Sequence, residues 1–248
     1  MKETRDIMGM PVSIEIAGVQ AAQKNFDTAF DYFVHIDETF STYKPGSEIS
    51  RINRGEISEA EYSAEMKTVF ALAEETKQLT HGYFDIHTAD GMIDPLGLVK
   101  GWAINNAAHM LDELGCKNFQ VDAGGDIQTR GKNEEGNEWS VGIRNPFNRG
   151  EIIKVIYPRG AGVATSGTYI RGKHIYDPHS GEPVVTPVLS LTVVGPDVYE
   201  ADRFATAAFA MGERGVEFIE QLDGFEGYAV DEKGVATMTS GFTKYTSQ

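Results

Sequence analysis

Apolar residues along this chain repeat with two different periods, and those periods divide it into elements. Over residues 8–16, Val12, Ile14 and Ile16 alternate with polar neighbours, the period-two pattern of a strand with one buried face. Phe26, Phe30, Phe33, Ile36 and Phe40 then recur in steps of three and four, which predicts an amphipathic helix with an aromatic stripe turned inward. After a polar stretch over 41–53, with a turn at Pro45-Gly46, a second helix is predicted over 64–80, with Met66, Val69, Phe70 and Ala73 inward and Gly82 as its stop. A third covers 100–114 and closes at Gly115. Short strands separated by glycine-rich turns are predicted over 119–122, 126–129, 139–143, 152–157 and 188–194, and at the end of the chain near 227–230 and 235–239. Helices are predicted over 200–211 and 215–222. Runs of consecutive strands interrupted by helices predict an α+β fold with mixed or antiparallel sheets rather than a doubly wound one. With no repeat, low-complexity tract or linker, residues 1–248 are expected to form a single domain.

Composition narrows the function classes. The 248 residues are 41% hydrophobic and 24% charged, ordinary globular usage, and no apolar run is long enough for a transmembrane helix. Residues 1–6 lack the apolar core of a signal peptide, so the expected location is the cytoplasm; removal of a leader would instead make it the periplasm, or the membrane surface as a lipoprotein. A formal net charge of −15 argues against nucleic acid and against anionic membranes. An anionic substrate must therefore be met locally, by a metal ion or by backbone amides. One cysteine, Cys116, excludes an internal disulfide and a multi-cysteine metal site, and the histidines lack zinc-ligand spacing.

Five segments carry candidate chemistry. Residues 162–183 place a small-residue turn, Thr165-Ser166-Gly167, ahead of His174, Asp177 and His179: hydroxyls and amides that could hold a phosphate, beside an imidazole that titrates near neutrality. Tyr83-Phe84-Asp85 could line a ring-binding pocket or simply lead into a strand. Asp94-Pro95-Leu96-Gly97 reads as a turn feeding a helix N-terminus, with Lys100 one turn on; it suits an anion, or is only a turn with a surface lysine. Asp122-Ala123-Gly124-Gly125-Asp126 allows close backbone approach, and equally fits a plain glycine hairpin. Asp202 and Thr206, at i and i+4, share one helix face and offer hard oxygen ligands suited to Mg²⁺; the same pair also fits a first-turn acid beside a threonine bonded to its own helix.

Taken in order, these segments resemble the ApbE family of FAD:protein FMN transferases. The resemblance covers nearly the whole chain: Met8-Gly9, Ser41-Thr42-Tyr43, Tyr83-Phe84-Asp85, residues 94–101, residues 122–127, Ala164-Thr165-Ser166-Gly167, residues 174–181 and residues 201–206. It implies a T-fold-like architecture and an enzyme that cleaves the FAD pyrophosphate, attaches FMN through a phosphoester to a threonine of an acceptor flavoprotein (a redox-complex subunit) and releases AMP. It also implies a Mg²⁺ ion held by Asp202, Thr206 and the backbone oxygen of Gly97. FAD would be bound by Met8, Tyr43, Tyr83, Phe84, Asp85, Asp94, Lys100 and Ile175, with Thr165, Ser166 and Gly167 at the pyrophosphate and His174 as the catalytic base. The chain departs from the family pattern at Met10, where a threonine is usual, at Ala205, where some members carry an acid, in the short segment between Ser166 and His174, and at His179, where a small or polar residue is common. Two rival functions use the same segments: an FAD pyrophosphatase, in which water replaces the threonine, and a non-catalytic flavin carrier. A carrier would not need His174, Asp202 and Thr206 together.

Overall fold

The structure is a computed structural model and describes residues 1–18, 22–148, 150–168 and 176–247. The chain opens with strands β1 (Lys2–Ile7) and β2 (Met10–Ile16), followed by helices α1 (Gln23–Phe40), α2 (Glu48–Asn53), α3 (Ala64–Leu79) and α4 (Leu96–Glu113). A strand-rich middle follows: β3 (Phe119–Ala123), β4 (Asp126–Arg130), β5 (Val141–Arg144), β6 (Ile152–Ile156), β7 (Gly162–Gly167), β8 (Tyr176–Asp177), β9 (Glu182–Pro183) and β10 (Val188–Gly195). Helices α5 (Val198–Ala210) and α6 (Gly215–Glu220) and strands β11 (Glu226–Asp231) and β12 (Ala236–Met238) complete it. Eight strands form one antiparallel sheet in the order β1-β2-β3-β4-β7-β10-β11-β12, and β5-β6 and β8-β9 form two small hairpins. The α+β expectation holds.

The aromatic stripe on α1 behaves as its period requires. Phe26, Phe30, Phe33, Ile36 and Phe40 are all buried, in one cluster with Val12, Ile14 and Ile16 of β2. Burying each such side chain stabilises the fold by roughly 1.5–3 kcal/mol relative to leaving it exposed. Helix α4 packs between α1 and α5, and α5 lies on β7 and β10. The small hairpin β5–β6 joins Ile127, Val163 and Val194 in a separate cluster with Tyr228 and Phe242.

Four of the differences from the sequence reading have a clear physical cause. Strand β1 was not expected, because KETRDI has no apolar alternation; it is an edge strand, where charged residues are favoured, and pairs with β2 along its length. Helix α2 hides in a polar stretch, started by the Ser47 hydroxyl accepting from the Ser50 amide. Helix α4 begins at Leu96, one turn before the apolar pattern, because the Asp94 carboxylate accepts from the Leu96 amide at 3.1 Å. The fourth difference matters most: Thr165-Ser166-Gly167 is not a turn but the end of β7, paired with β10 over its whole length.

The small residues of β7 are explained by α5. A Cβ on Gly162 would lie 2.0 Å from the Val198 amide nitrogen, and Ala164 sits in one buried cluster with Ala201, Phe204, Ala205 and Ala208 of α5. Sequence patterning reads such small residues as a turn, whereas here they let a helix approach a central strand. Gly162→Ala is expected to force β7 and α5 apart and to destabilise the fold by about 1–3 kcal/mol. Urea denaturation checks this as a lower midpoint at unchanged m-value; an unaltered midpoint would refute the close approach.

Candidate functional site

The start of α4, the middle of α5, the start of β4 and the end of β7 meet at one place. Gly101 makes the α4–α5 contact possible: a Cβ there would lie 2.6 Å from the Asp202 Cβ. Freed of a side chain, Gly101 donates its backbone N–H to Asp202 Oδ2 at 2.8 Å. One residue earlier, the Lys100 ammonium lies 2.5 Å from Asp126 Oδ2 and 3.5 Å from Asp202 Oδ1. Asp126 reaches this place because Gly124 and Gly125, both at positive φ, close a two-residue hairpin that makes it the first residue of β4, opposite Ala123. Its Oδ1 accepts from the Thr165 amide at 3.0 Å.

Two carboxylates and one ammonium are thus gathered with little water. The Asp126 and Asp202 side chains are 2% and 3% exposed. Burial raises the pKa of Asp202 to about 7; the Lys100 charge opposes that shift and the Asp126 charge adds to it. Burial also raises Asp94, opposed by the hydrogen bond from Leu96, and raises Asp122 despite the bond it accepts from the Gly125 amide. Beside Asp202, the Thr206 and Ser166 hydroxyls lie 3.4 Å apart. Gly97 completes this wall, since a Cβ there would touch the Phe84 ring at 3.4 Å and the Thr206 methyl at 3.5 Å. A buried carboxylate next to hydroxyls is a donor set that suits a hard cation completing its shell with water and ligand oxygens. Among the described residues no group of three or more His, Cys, Asp or Glu could hold a metal by itself.

The expected site residues fall into three groups. Gly97, Lys100, Ser166, Asp202, Thr206 and Phe84 come together here, with Asp94 at the start of the same helix. Thr165 and Gly167 do not present a phosphate-binding turn: the Thr165 amide is taken by Asp126, its hydroxyl pairs with that of Thr192 at 2.8 Å, and Gly167 pairs with Ser190 in the sheet. Tyr83, next to Phe84, stands at the rim, and the remaining residues lie outside this cluster. Tyr83 meets His179 edge to face, with ring centroids 4.5 Å apart, and its hydroxyl accepts from Arg214, whose guanidinium is 5.6 Å from the ring centroid. Asp85 is held by Lys77 at 2.6 Å and by His87 Nδ1 at 2.9 Å; burial pushes its pKa up, but these bonds together bring it below the ordinary value. Tyr43 is 87% exposed, and Met8, at φ 56°, forms the β1–β2 turn with Gly9. His174 and Ile175 lie outside the described residues.

Two residues escaped the sequence reading. The glycine hairpin beside Asp126 is visible in the sequence, but the contact Asp126 makes with the lysine of α4 is not. Arg214 carries no local signal, as it reaches Tyr83 from 131 residues away.

The raised pKa of Asp202 has a measurable consequence. The folded chain holds this proton more tightly than the unfolded one, so the contribution to stability is present below the ordinary carboxylate pKa and is lost as pH rises toward about 7. Asp202→Asn removes that dependence. In EDTA, the stability difference between the variant and the wild type is expected to move in the variant's favour from about pH 5 to about pH 8. Denaturation midpoints across that range check it; a constant difference would refute the buried titration.

The ApbE family model matches residues 8–92 and 87–229. A protein of Haemophilus influenzae named FAD:protein FMN transferase is 30% identical over 167 residues, an alignment covering 62% of this chain and 48% of that protein, so the chain spans about half the length of that relative. A Vibrio cholerae protein of the same name is 27% identical over 279 residues, covering 84% of each. Among solved structures, the ApbE protein of Thermotoga maritima superposes with a TM-score of 0.88 at 22% identity, over 100% of this chain and 99% of that one. Similar in sequence over most of its length and in fold over all of it, the chain belongs to the ApbE family.

Proposed function

We propose that this chain is a Mg²⁺-dependent FAD:protein FMN transferase that moves FMN from FAD to a threonine of an acceptor flavoprotein and releases AMP. The observation that carries the reading is the buried Asp202 carboxylate of α5, 3.5 Å from the Lys100 ammonium of α4 and flanked by the Thr206 and Ser166 hydroxyls. The relatives from Haemophilus influenzae and Vibrio cholerae, whose names state FAD:protein FMN transfer, support the transferase part of it.

In this reaction a bond forms between the threonine oxygen and the FMN phosphorus, and the phosphorus–oxygen bond to AMP breaks, with its electron pair leaving on AMP. Bound by Asp202, Thr206 and the Gly97 carbonyl, Mg²⁺ would supply positive charge for the phosphate oxygens. Lys100 adds a second positive charge from a stem that is mostly buried. Asp94 orders the first turn of α4 by accepting the Leu96 amide, which sets the entry to the site. Phe84 and Tyr83 form a wall and a rim against which a flavin or adenine ring can pack, and exposed Tyr43 offers another ring face. His174 is the base this reading assigns to the threonine proton.

Incubation with FAD, Mg²⁺ and a flavoprotein subunit carrying a candidate threonine is expected to add the mass of FMN to that subunit, less one water. Free FMN and AMP without an adduct, across a range of acceptors, would replace this reading with a pyrophosphatase. Asp202→Ala is expected to abolish Mg²⁺-dependent turnover while part of the FAD binding survives. His174→Ala is expected to lower transfer by about 10²-fold or more, and full activity in either variant would remove that residue from the mechanism.

A further inference from the structure

The proposed function has no use for Asp126, yet Asp126 is the nearest anion to Lys100. A lysine stem is flexible, and its rotamer freedom opposes holding its ammonium in one place. Asp126 is itself fixed on both sides. The glycine hairpin sets where β4 begins, and the Thr165 amide, on the neighbouring strand β7, holds Oδ1 at 3.0 Å. The other oxygen, Oδ2, is thereby turned toward Lys100, at 2.5 Å. Asp202 is also anchored, through the Gly101 amide, but its remaining oxygen stands 3.5 Å from the same ammonium. The lysine is therefore drawn toward Asp126 and away from the carboxylate that the transferase reading assigns to the cation. Without Asp126, the nearest charge partner for Lys100 would be Asp202, and the two would neutralise each other.

We infer that Asp126 is a positioning residue: by drawing the Lys100 ammonium off Asp202, it sets where the lysine charge stands for the substrate pyrophosphate. This inference rests on the reading of the site as one that binds FAD.

Its test follows from a conflict of signs. Asp126 carries a negative charge close to where an anionic pyrophosphate would bind, so removing that charge should tighten FAD binding if only the local field mattered. Positioning predicts the reverse. FAD affinity is measured by flavin fluorescence at equilibrium, in EDTA and without acceptor, for wild type, Asp126→Asn, Lys100→Met and the double variant. Asparagine keeps an oxygen for the Thr165 amide. Asp126→Asn is expected to weaken FAD binding about 10-fold when Lys100 is present, the scale of one hydrogen bond to a charged group, and not to weaken it in the Lys100→Met background. Unchanged or tighter binding in the single variant, or equal weakening in both backgrounds, overturns the inference. Should circular dichroism show the amide variant unfolded, Asp126→Ser takes its place in the cycle, removing the charge while keeping a hydroxyl oxygen at that position, with the same outcomes decisive. A wild type that binds FAD but transfers nothing refutes the transferase reading and leaves the cycle readable, whereas a wild type that binds no FAD overturns both.

Discussion

The site depends on how closely α5 approaches its neighbours. Gly162 brings α5 onto β7, and Gly101 brings it against α4; at each place a single Cβ would collide with backbone or with the Asp202 side chain. That approach puts a carboxylate, Asp202, into the packed interior between two helices and a sheet. An ionised carboxylate there is tolerated only if hydrogen bonds or opposite charge answer it. The Gly101 amide and the Lys100 ammonium do so, and both come from the helix that the glycine lets in. The same small residues that allow the packing thus create the electrostatic problem and supply part of its solution.

Among the described residues the cluster is short of positive charge, with two carboxylates against one ammonium. This is why burial and the Asp126 charge together raise the pKa of Asp202 in spite of Lys100. A cation is the natural complement to such a site, and it also bears on the chain's formal net charge of −15. A protein this acidic repels an anionic nucleotide at a distance, so positive charge has to be concentrated where the phosphates would lie. The proposed transferase places it there through Lys100 and the ion rather than through a basic surface.

Much of this fold was legible in the sequence, for reasons that vary by element. Helices α1 and α3 were found with their inward residues because a single face of each is apolar, and β2, β3, β10 and β11 because apolar residues alternate or run together in them. Strand β1 was invisible because an edge strand can be charged on both faces, and β7 was mistaken because small residues serve turns and close packing alike. Of the site, Asp202 and Thr206 were legible because both lie on one helix, four residues apart. Lys100 was legible as a cation near a helix start, but its partner Asp126 was not, since their ion pair joins α4 to β4 and no local spacing encodes it. His179, which the sequence leaves without a role, packs on Tyr83 at a distance of 96 residues along the chain, again a relation that only the fold creates.

The rim and the buried cluster are tied to each other through consecutive residues. Tyr83 faces outward to His179 and Arg214, while Phe84 turns inward against Gly97 and Thr206. The adjoining backbone is fixed as well, because the Thr80 hydroxyl accepts from the Phe84 amide at 3.1 Å and in turn donates to the Thr76 carbonyl in the last turn of α3. A ring stacked on Tyr83 would therefore rest on a residue covalently joined to one wall of the proposed cation site. Two consecutive aromatic residues facing opposite ways let a rigid backbone segment set the spacing between a bound ring and the charged cluster. Reaction at a phosphorus atom requires that spacing to be fixed before the acceptor arrives.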